Sequence, residues 1–262
     1  VDIDLEFFRL VEQAKKEYKG IICLKARRRG LSEKAVNGVV DYGMRFTKAK
    51  YNAGICAGKE EYAKDFFLKL KQTESFRPPE LRMHYLKNEN LEIIQGWEEK
   101  NPTGMVKSGS FNRIVCNWMT TNPNVFKGQF FNDVIFEEAG EFNMLVETFG
   151  ATEKCFAVGD RMVGTPICYG TGGNIKSTTE GFRAMWSEPD TYNLLKFEVY
   201  ANSLYIGCFA GSRNERGEVE EDIPYIKEQF TPAQRIGMED LKRAEEKIME
   251  KRIKLSKSKS KK

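Results

Sequence analysis

Histidine is almost missing from this chain: His84 is the only one in 262 residues. Histidine is the commonest general acid–base side chain, and a His-rich metal centre needs several, so both chemistries are set aside. The six cysteines, Cys23, Cys56, Cys116, Cys155, Cys168 and Cys208, stand singly. None belongs to the C-x-x-C pair of a zinc site. Most lie in apolar, strand-like runs, which predicts reduced core residues in a cytosolic protein. No apolar run is long enough to span a bilayer, and there is no signal-peptide pattern. A broad basic surface is lacking too. From Lys242 to Lys262 the chain carries ten Lys/Arg against three Glu, so the net charge of +4 resolves into +7 on that tail and −3 on the rest. Any contact of the body with nucleic acid is therefore expected through local patches.

What is present is a phosphate-binding loop with its lysine displaced. The segment reads Gly20-Ile21-Ile22-Cys23-Leu24-Lys25-Ala26-Arg27-Arg28-Arg29-Gly30-Leu31-Ser32. An apolar strand runs into a basic turn, and a helix follows. The usual loop is G-x-x-x-x-G-K-[ST] between a strand and a helix. Gly30 and Ser32 hold their expected places, Leu31 stands where the lysine belongs, and Lys25 stands at the first glycine. A bound triphosphate needs backbone N–H groups at a helix N-terminus, a cation on the outer phosphates and a hydroxyl on Mg²⁺. Lys25, Arg27, Arg28 and Arg29 are all candidates for the cation, while Ala26, Gly30 and Leu31 would lend backbone. Ser32 is the candidate metal ligand. A basic turn after a strand could equally be a solvated loop or a DNA contact.

Two further motifs bear on that choice. Asp133-Val134-Ile135-Phe136-Glu137-Glu138 is an apolar strand ending in paired acids. One acid can help hold hydrated Mg²⁺ and its neighbour can orient the attacking water. Alternation along a strand would point the two apart. Glu137 is assigned to Mg²⁺ and Glu138 to the water. Gly164-Thr165-Pro166-Ile167-Cys168-Tyr169-Gly170-Thr171-Gly172-Gly173-Asn174 then reads as a strand entering a glycine-rich turn. Strand ends of this kind line the ligand-binding edge of a parallel sheet. Thr171 could sense a γ-phosphate there, with Gly170, Gly172 and Gly173 letting the turn move.

Together these elements resemble the ATPase domain of the large terminase subunit of tailed bacteriophages. The residues that carry the resemblance are the Lys25–Ser32 loop, Phe136-Glu137-Glu138-Ala139-Gly140-Glu141-Phe142 and Tyr169-Gly170-Thr171-Gly172-Gly173, in that order. Phe126-Lys127-Gly128-Gln129-Phe130 is similar to the family's lead-in to the acidic strand. The resemblance covers roughly residues 20–209. It implies an ATP-hydrolysing motor that translocates double-stranded DNA into a procapsid, with ATP and Mg²⁺ bound. Lys25 would be the phosphate lysine, as in lambda-type members, and Arg27 or Arg28 the arginine finger. Residues 170–173 would couple hydrolysis to movement. The implied partners are double-stranded DNA, the portal protein, the small terminase subunit and further copies of the chain in a ring, a pentamer. The implied location is the host cytoplasm, transiently at the portal vertex, with no membrane involved.

The chain departs from the family pattern at both ends. No nuclease region with an acidic metal cluster follows, so no nuclease is expected in this chain, and only one helix-like stretch precedes the loop. The first residue is Val1, which suggests an ATPase domain lacking its upstream sequence. Two other readings stay open: a different P-loop DNA motor of helicase type, and a nucleotide-insensitive docking module with a decayed loop.

The expected fold is α/β, a P-loop NTPase with a mostly parallel central sheet flanked by helices, RecA/ASCE-like. Residues 1–240 are expected to form the ATPase domain, and residues 241–262 a charged helix and a lysine-rich, partly disordered tail. Helices are expected over 4–17, 32–46, 60–70, 143–151, 180–187 and 238–254. Strands are expected over 20–24, 51–57, 113–118, 193–199 and 205–210, beside the acidic strand that ends in Glu137 and Glu138 and the strand that enters the glycine-rich turn. A single hairpin of 91–97 with 105–107 should turn at Asn101-Pro102-Thr103-Gly104.

Overall fold

Apolar five- and six-residue runs become buried strands, and their order sets up the site. The computed structural model describes residues 2–24, 30–47, 50–119, 122–159, 161–170, 179–197, 212–213 and 219–220. Helix α1 (Asp2–Glu17) leads into β1 (Gly20–Leu24), which is buried at every position. After the loop come α2 (Leu31–Lys34), a π-helical stretch (Ala35–Asp41) and α3 (Tyr42–Phe46). Then follow β2 (Asn52–Ala57), α4 (Glu60–Ser75), β3 (Tyr85–Glu89), β4 (Glu92–Gln95), β5 (Trp97–Asn101), β6 (Gly104–Ser108) and β7 (Arg113–Trp118). The acidic strand is β8 (Asp133–Glu137). After it come α5 (Leu145–Glu153), β9 (Ala157–Val158), β10 (Arg161–Met162), β11 (Thr165–Gly170), α6 (Thr179–Ser187) and β12 (Leu194–Lys196).

The central sheet has eight strands in the order β12-β1-β11-β8-β2-β7-β4-β3. From β12 to β7 every neighbouring pair is parallel, and β4 and β3 add an antiparallel hairpin at one edge. Alternation divides the core. Ile21, Cys23, Ala53, Ile55, Ala57, Ile135, Ile167 and Tyr169 face α1, α2, the π-helical stretch and α4. Ile22, Leu24, Cys56, Val134, Phe136 and Cys168 face α5 and α6. Strands covered on both sides read as continuous apolar runs, and each large side chain fully buried there contributes about 1.5–3 kcal/mol. The α/β architecture expected from the sequence is the one that forms.

Five of the cysteines are free and buried, and Cys208 lies outside the described residues. Burial pushes the Cys56, Cys116 and Cys168 thiols well above the usual range. The lead-in segment is a packed turn: Phe126 is buried against Phe131, edge to face at 4.9 Å, and Gly128 takes φ 81°.

Several local expectations are corrected. The helix after the loop is π-helical over Ala35–Asp41. Gly38 lies there against α1, where a Cβ would fall 2.1 Å from Phe8 Cε1. The single hairpin is two: β3 pairs with β4, and β5 pairs with β6. Gly96, at φ 150°, separates β4 from β5. Helix α4 runs on to Ser75, closed by a part-buried cluster in which Arg45 and Arg77 share Asp41 and Glu74. The expected strand at 205–210, the helix at 238–254 and the tail lie outside the described residues. Among the described residues no helix is long and apolar enough to cross a membrane.

Candidate functional site

The C-terminal ends of β1, β11, β8 and β2 lie along one edge of the sheet, because all four strands are parallel and in register: Leu24 beside Gly170, Tyr169 beside Glu137, and Glu137 beside Ala57. Strand β11 lies between β1 and β8, so the loop after β1 and the acids after β8 are separated by two inter-strand spacings, about 9–10 Å.

Gly30 opens the helix after the loop in the left-handed region, φ 65° and ψ 23°, with no side-chain cap on the helix start. Glycine takes that conformation without a Cβ penalty. Leu31 turns inward and is 1% exposed within the core. Ser32 stands on the first turn, half-buried, and its hydroxyl donates to Glu137 Oε1 at 2.7 Å across 105 residues of sequence. Glu137 is buried at the end of β8. Its other oxygen, Oε2, accepts from the hydroxyl of Tyr169, which is fully buried. Burial, then the charge and hydrogen bond of Glu137, hold the Tyr169 hydroxyl well above the usual phenol range, with Glu138 adding to the effect. The tyrosine is therefore a donor at any physiological pH.

Glu138 leaves the strand. It takes φ 51°, ψ 52° and caps a short 3₁₀ turn, Ala139–Glu141. The strand alternation expected to separate the two acids therefore stops at Glu137, and the left-handed turn sets the backbone of Glu138. The turn is braced by neighbours. A Cβ on Gly170 would fall 2.6 Å from Gly140 N, and one on Gly58 would fall 2.8 Å from Glu141 O. Lys59 pairs with Glu141 at 2.8 Å. Farther along α4, Lys69 is held by Asp65 at 2.6 Å and also feels Glu137 and Glu33. Burial opposes the Lys69 charge, but these carboxylates outweigh it and the pKa is raised.

The structure thus brings Ser32, Glu137, Glu138 and Gly170 to one edge, with Gly30 and Leu31 at the adjoining helix start. Lys25, Ala26, Arg27, Arg28 and Arg29, and likewise Thr171, Gly172 and Gly173, lie outside the described residues. In the sequence Tyr169 stands out only as part of the glycine-rich motif, with no role of its own. The signal needed was its neighbour across the sheet, and strand order is not written in a run of residues. Chemically, the arrangement offers two hard oxygen donors, the Ser32 hydroxyl and the Glu137 carboxylate. That set suits Mg²⁺, which is usually held by one or two protein oxygens together with water and phosphate. Among the described residues no group of three or more His, Cys, Asp or Glu could form an all-protein cage.

No protein-family model matches the chain, and no curated protein sequence matches it. Similar solved structures exist. Phage large terminases are among them. The large terminase of a thermophilic bacteriophage in complex with ATP-gamma-S shares 16% identity at a TM-score of 0.49, over 74% of this chain and 43% of that one. The large terminase ATPase domain of Thermus phage P74-26 shares 20% at 0.42, over 59% of each. The large terminase of bacteriophage HK97 shares 11% at 0.42, over 80% of this chain and 43% of that one. The chain spans less than half the length of the thermophilic phage protein.

Proposed function

We propose that this chain binds ATP with Mg²⁺ and hydrolyses it, as the motor domain of a large terminase that drives double-stranded DNA into a viral procapsid. The observation that carries the nucleotide part is the 2.7 Å hydrogen bond from Ser32 to Glu137. A hydroxyl on the first turn after a glycine-opened helix start meets a buried carboxylate at the end of a parallel strand, as a metal–phosphate site requires. The terminase part rests on the order and spacing of the loop, acidic and glycine-rich motifs.

In this reading Lys25 and the backbone around Gly30 bind the phosphates, with Ala26, Arg29 and Leu31 contributing to the loop. Ser32 and Glu137 hold the metal, which when bound would neutralise charge on the β- and γ-phosphates. Glu138 accepts a proton from the attacking water. Arg27 or Arg28 stabilises charge on the transferring phosphoryl group. Residues 170–173 report the nucleotide state toward the DNA. Grip on DNA is through phosphates and indifferent to sequence. The assembled motor would be a ring of copies, a pentamer, on the portal protein, served by a small terminase subunit in the host cytoplasm.

The experiment is steady-state ATP turnover by the wild-type chain and by Ser32→Ala and Glu137→Ala, with and without Mg²⁺. Turnover that needs Mg²⁺ and is lost in both variants supports the reading. A chain that neither binds nor hydrolyses ATP would instead be the docking module, and strand separation of a DNA duplex would mark the helicase-type motor.

A further inference from the structure

Tyr169 spans the gap that the strand order creates. Because β11 separates β1 from β8, any direct tie between the serine side and the acid side of the site passes over β11. Tyr169 is in register with Cys23 of β1 and Glu137 of β8 and lies on the same face of the sheet as Cys23. Its ring is fully buried and its hydroxyl donates to Glu137 Oε2, while Ser32 donates to Oε1. Donors from two different elements thus hold the two oxygens of one buried carboxylate. A glutamate has one more torsion than an aspartate at the same place, and freezing such a side chain costs rotamer entropy. Both donors meet that cost before any ligand arrives. A buried tyrosine hydroxyl usually finds some partner; this one finds the carboxylate proposed to hold the metal.

We infer that Tyr169 is a positioning residue: its hydroxyl fixes the Glu137 carboxylate in the orientation that receives Mg²⁺ with bound nucleotide. This rests on the nucleotide reading above. The same residue precedes Gly170, whose backbone abuts the Glu138–Gly140 turn. A shift at the end of β11 therefore reaches both acids at once.

The test is Tyr169→Phe, which keeps the ring and removes the donor. Affinity for a non-hydrolysable ATP analogue is measured by calorimetry in EDTA and across a Mg²⁺ series, with Mn²⁺ binding followed by electron paramagnetic resonance. The Mg²⁺ concentration that gives half of the metal-dependent tightening should rise on the order of tenfold, the usual scale for losing a partner that orients a metal ligand. Affinity in EDTA should match wild type, and so should the melting temperature to within a few degrees. A purely structural tyrosine would lower the melting temperature and leave the Mg²⁺ dependence alone, which overturns the inference. Glu137→Asp supplies an independent arm, since it withdraws the carboxylate by one methylene. It should raise the Mg²⁺ requirement by itself, and adding Tyr169→Phe should then change little; fully additive shifts overturn the inference. A wild-type chain whose analogue binding ignores Mg²⁺ overturns the nucleotide reading, a separate result from wild-type-like Mg²⁺ behaviour in Tyr169→Phe, which overturns only this role.

Discussion

Glu138 holds a backbone conformation, φ 51° and ψ 52°, that glycine takes freely and a residue with a Cβ does not. Such strain costs of order 1–3 kcal/mol and tends to gather where function needs it. Two substitutions separate the backbone cost from the chemistry. Glu138→Gln keeps the strain and removes the base, so nucleotide binding should persist while turnover falls by roughly 10²-fold or more. Glu138→Gly should lose turnover as well but raise stability, by about 1 kcal/mol in chemical denaturation. A Glu138→Gln variant with near wild-type turnover would remove Glu138 from the catalytic role. Leu31 gives the opposite case. It occupies the usual lysine position but is 1% exposed in the core. Leu31→Ala should therefore cost stability, about 2–5 kcal/mol, and Leu31→Lys would bury a charge instead of restoring a phosphate contact. A Leu31→Ala chain as stable as wild type in urea would show that this side chain does not pack as described.

At the scale of elements, the end of β11 and the turn after β8 fit each other through a missing side chain. Gly170→Ala would set a Cβ 2.6 Å from Gly140 N and 3.0 Å from Ala139 N. Backbone cannot step aside cheaply, so the variant should lose about 1–3 kcal/mol of stability and displace Glu138. A melting temperature and turnover equal to wild type would contradict that contact. At the other end of β8, Asp133 is fully buried, accepts from Tyr51 at 2.8 Å, and has Oδ1 3.3 Å from Lys15 Nζ. Burial raises its pKa above 3.8 despite both partners. A folded-state pKa above the unfolded one means that stability falls as pH rises through that interval and levels off above it. Asp133→Asn should lack this fall, so its stability relative to wild type should grow with pH from about 3.8 upward and then stay constant. A gap that widens as pH drops would contradict the sign.

Elements of this size were unequally legible in the sequence. Strands β1 and β7 match their expected bounds of 20–24 and 113–118, and β1 does so because its apolar run lies between Lys19 and Lys25. The β3–β4 turn was missed because Asn90 and Leu91, at φ 50° and 60°, take left-handed conformations with no glycine to signal them. The π-helical stretch carries no mark in the sequence; Gly38 within it packs against Phe8 of α1, a tertiary contact. In the candidate site, spacing singles out Ser32, Glu137 and Glu138, and the structure sets Ser32 against Glu137 with Glu138 next in the chain. Spacing does not single out Tyr169, because its meaning depends on β11 lying between β1 and β8.

At the scale of the molecule, the candidate site exists only in the folded chain, because Ser32 lies 105 residues from Glu137, and Glu137 32 residues from Tyr169, and the three meet at one sheet edge. A ligand bound there binds the native state alone and stabilises it by mass action, about 2.7 kcal/mol at a hundred times its dissociation constant. The charge pattern agrees with a site that concentrates its cations locally, since the body outside the tail is net acidic while the loop places Lys25, Arg27, Arg28 and Arg29 together. The most direct measurement of the central claim is a calorimetric titration of a non-hydrolysable ATP analogue into the wild-type chain and into Lys25→Ala, with and without Mg²⁺. The account predicts one saturable site, tightened by Mg²⁺, and weakened tenfold or more in Lys25→Ala, on the order of the 1.5–3 kcal/mol that a charged hydrogen bond contributes. No saturable binding by the wild-type chain, or binding that neither Mg²⁺ nor Lys25→Ala alters, would contradict it.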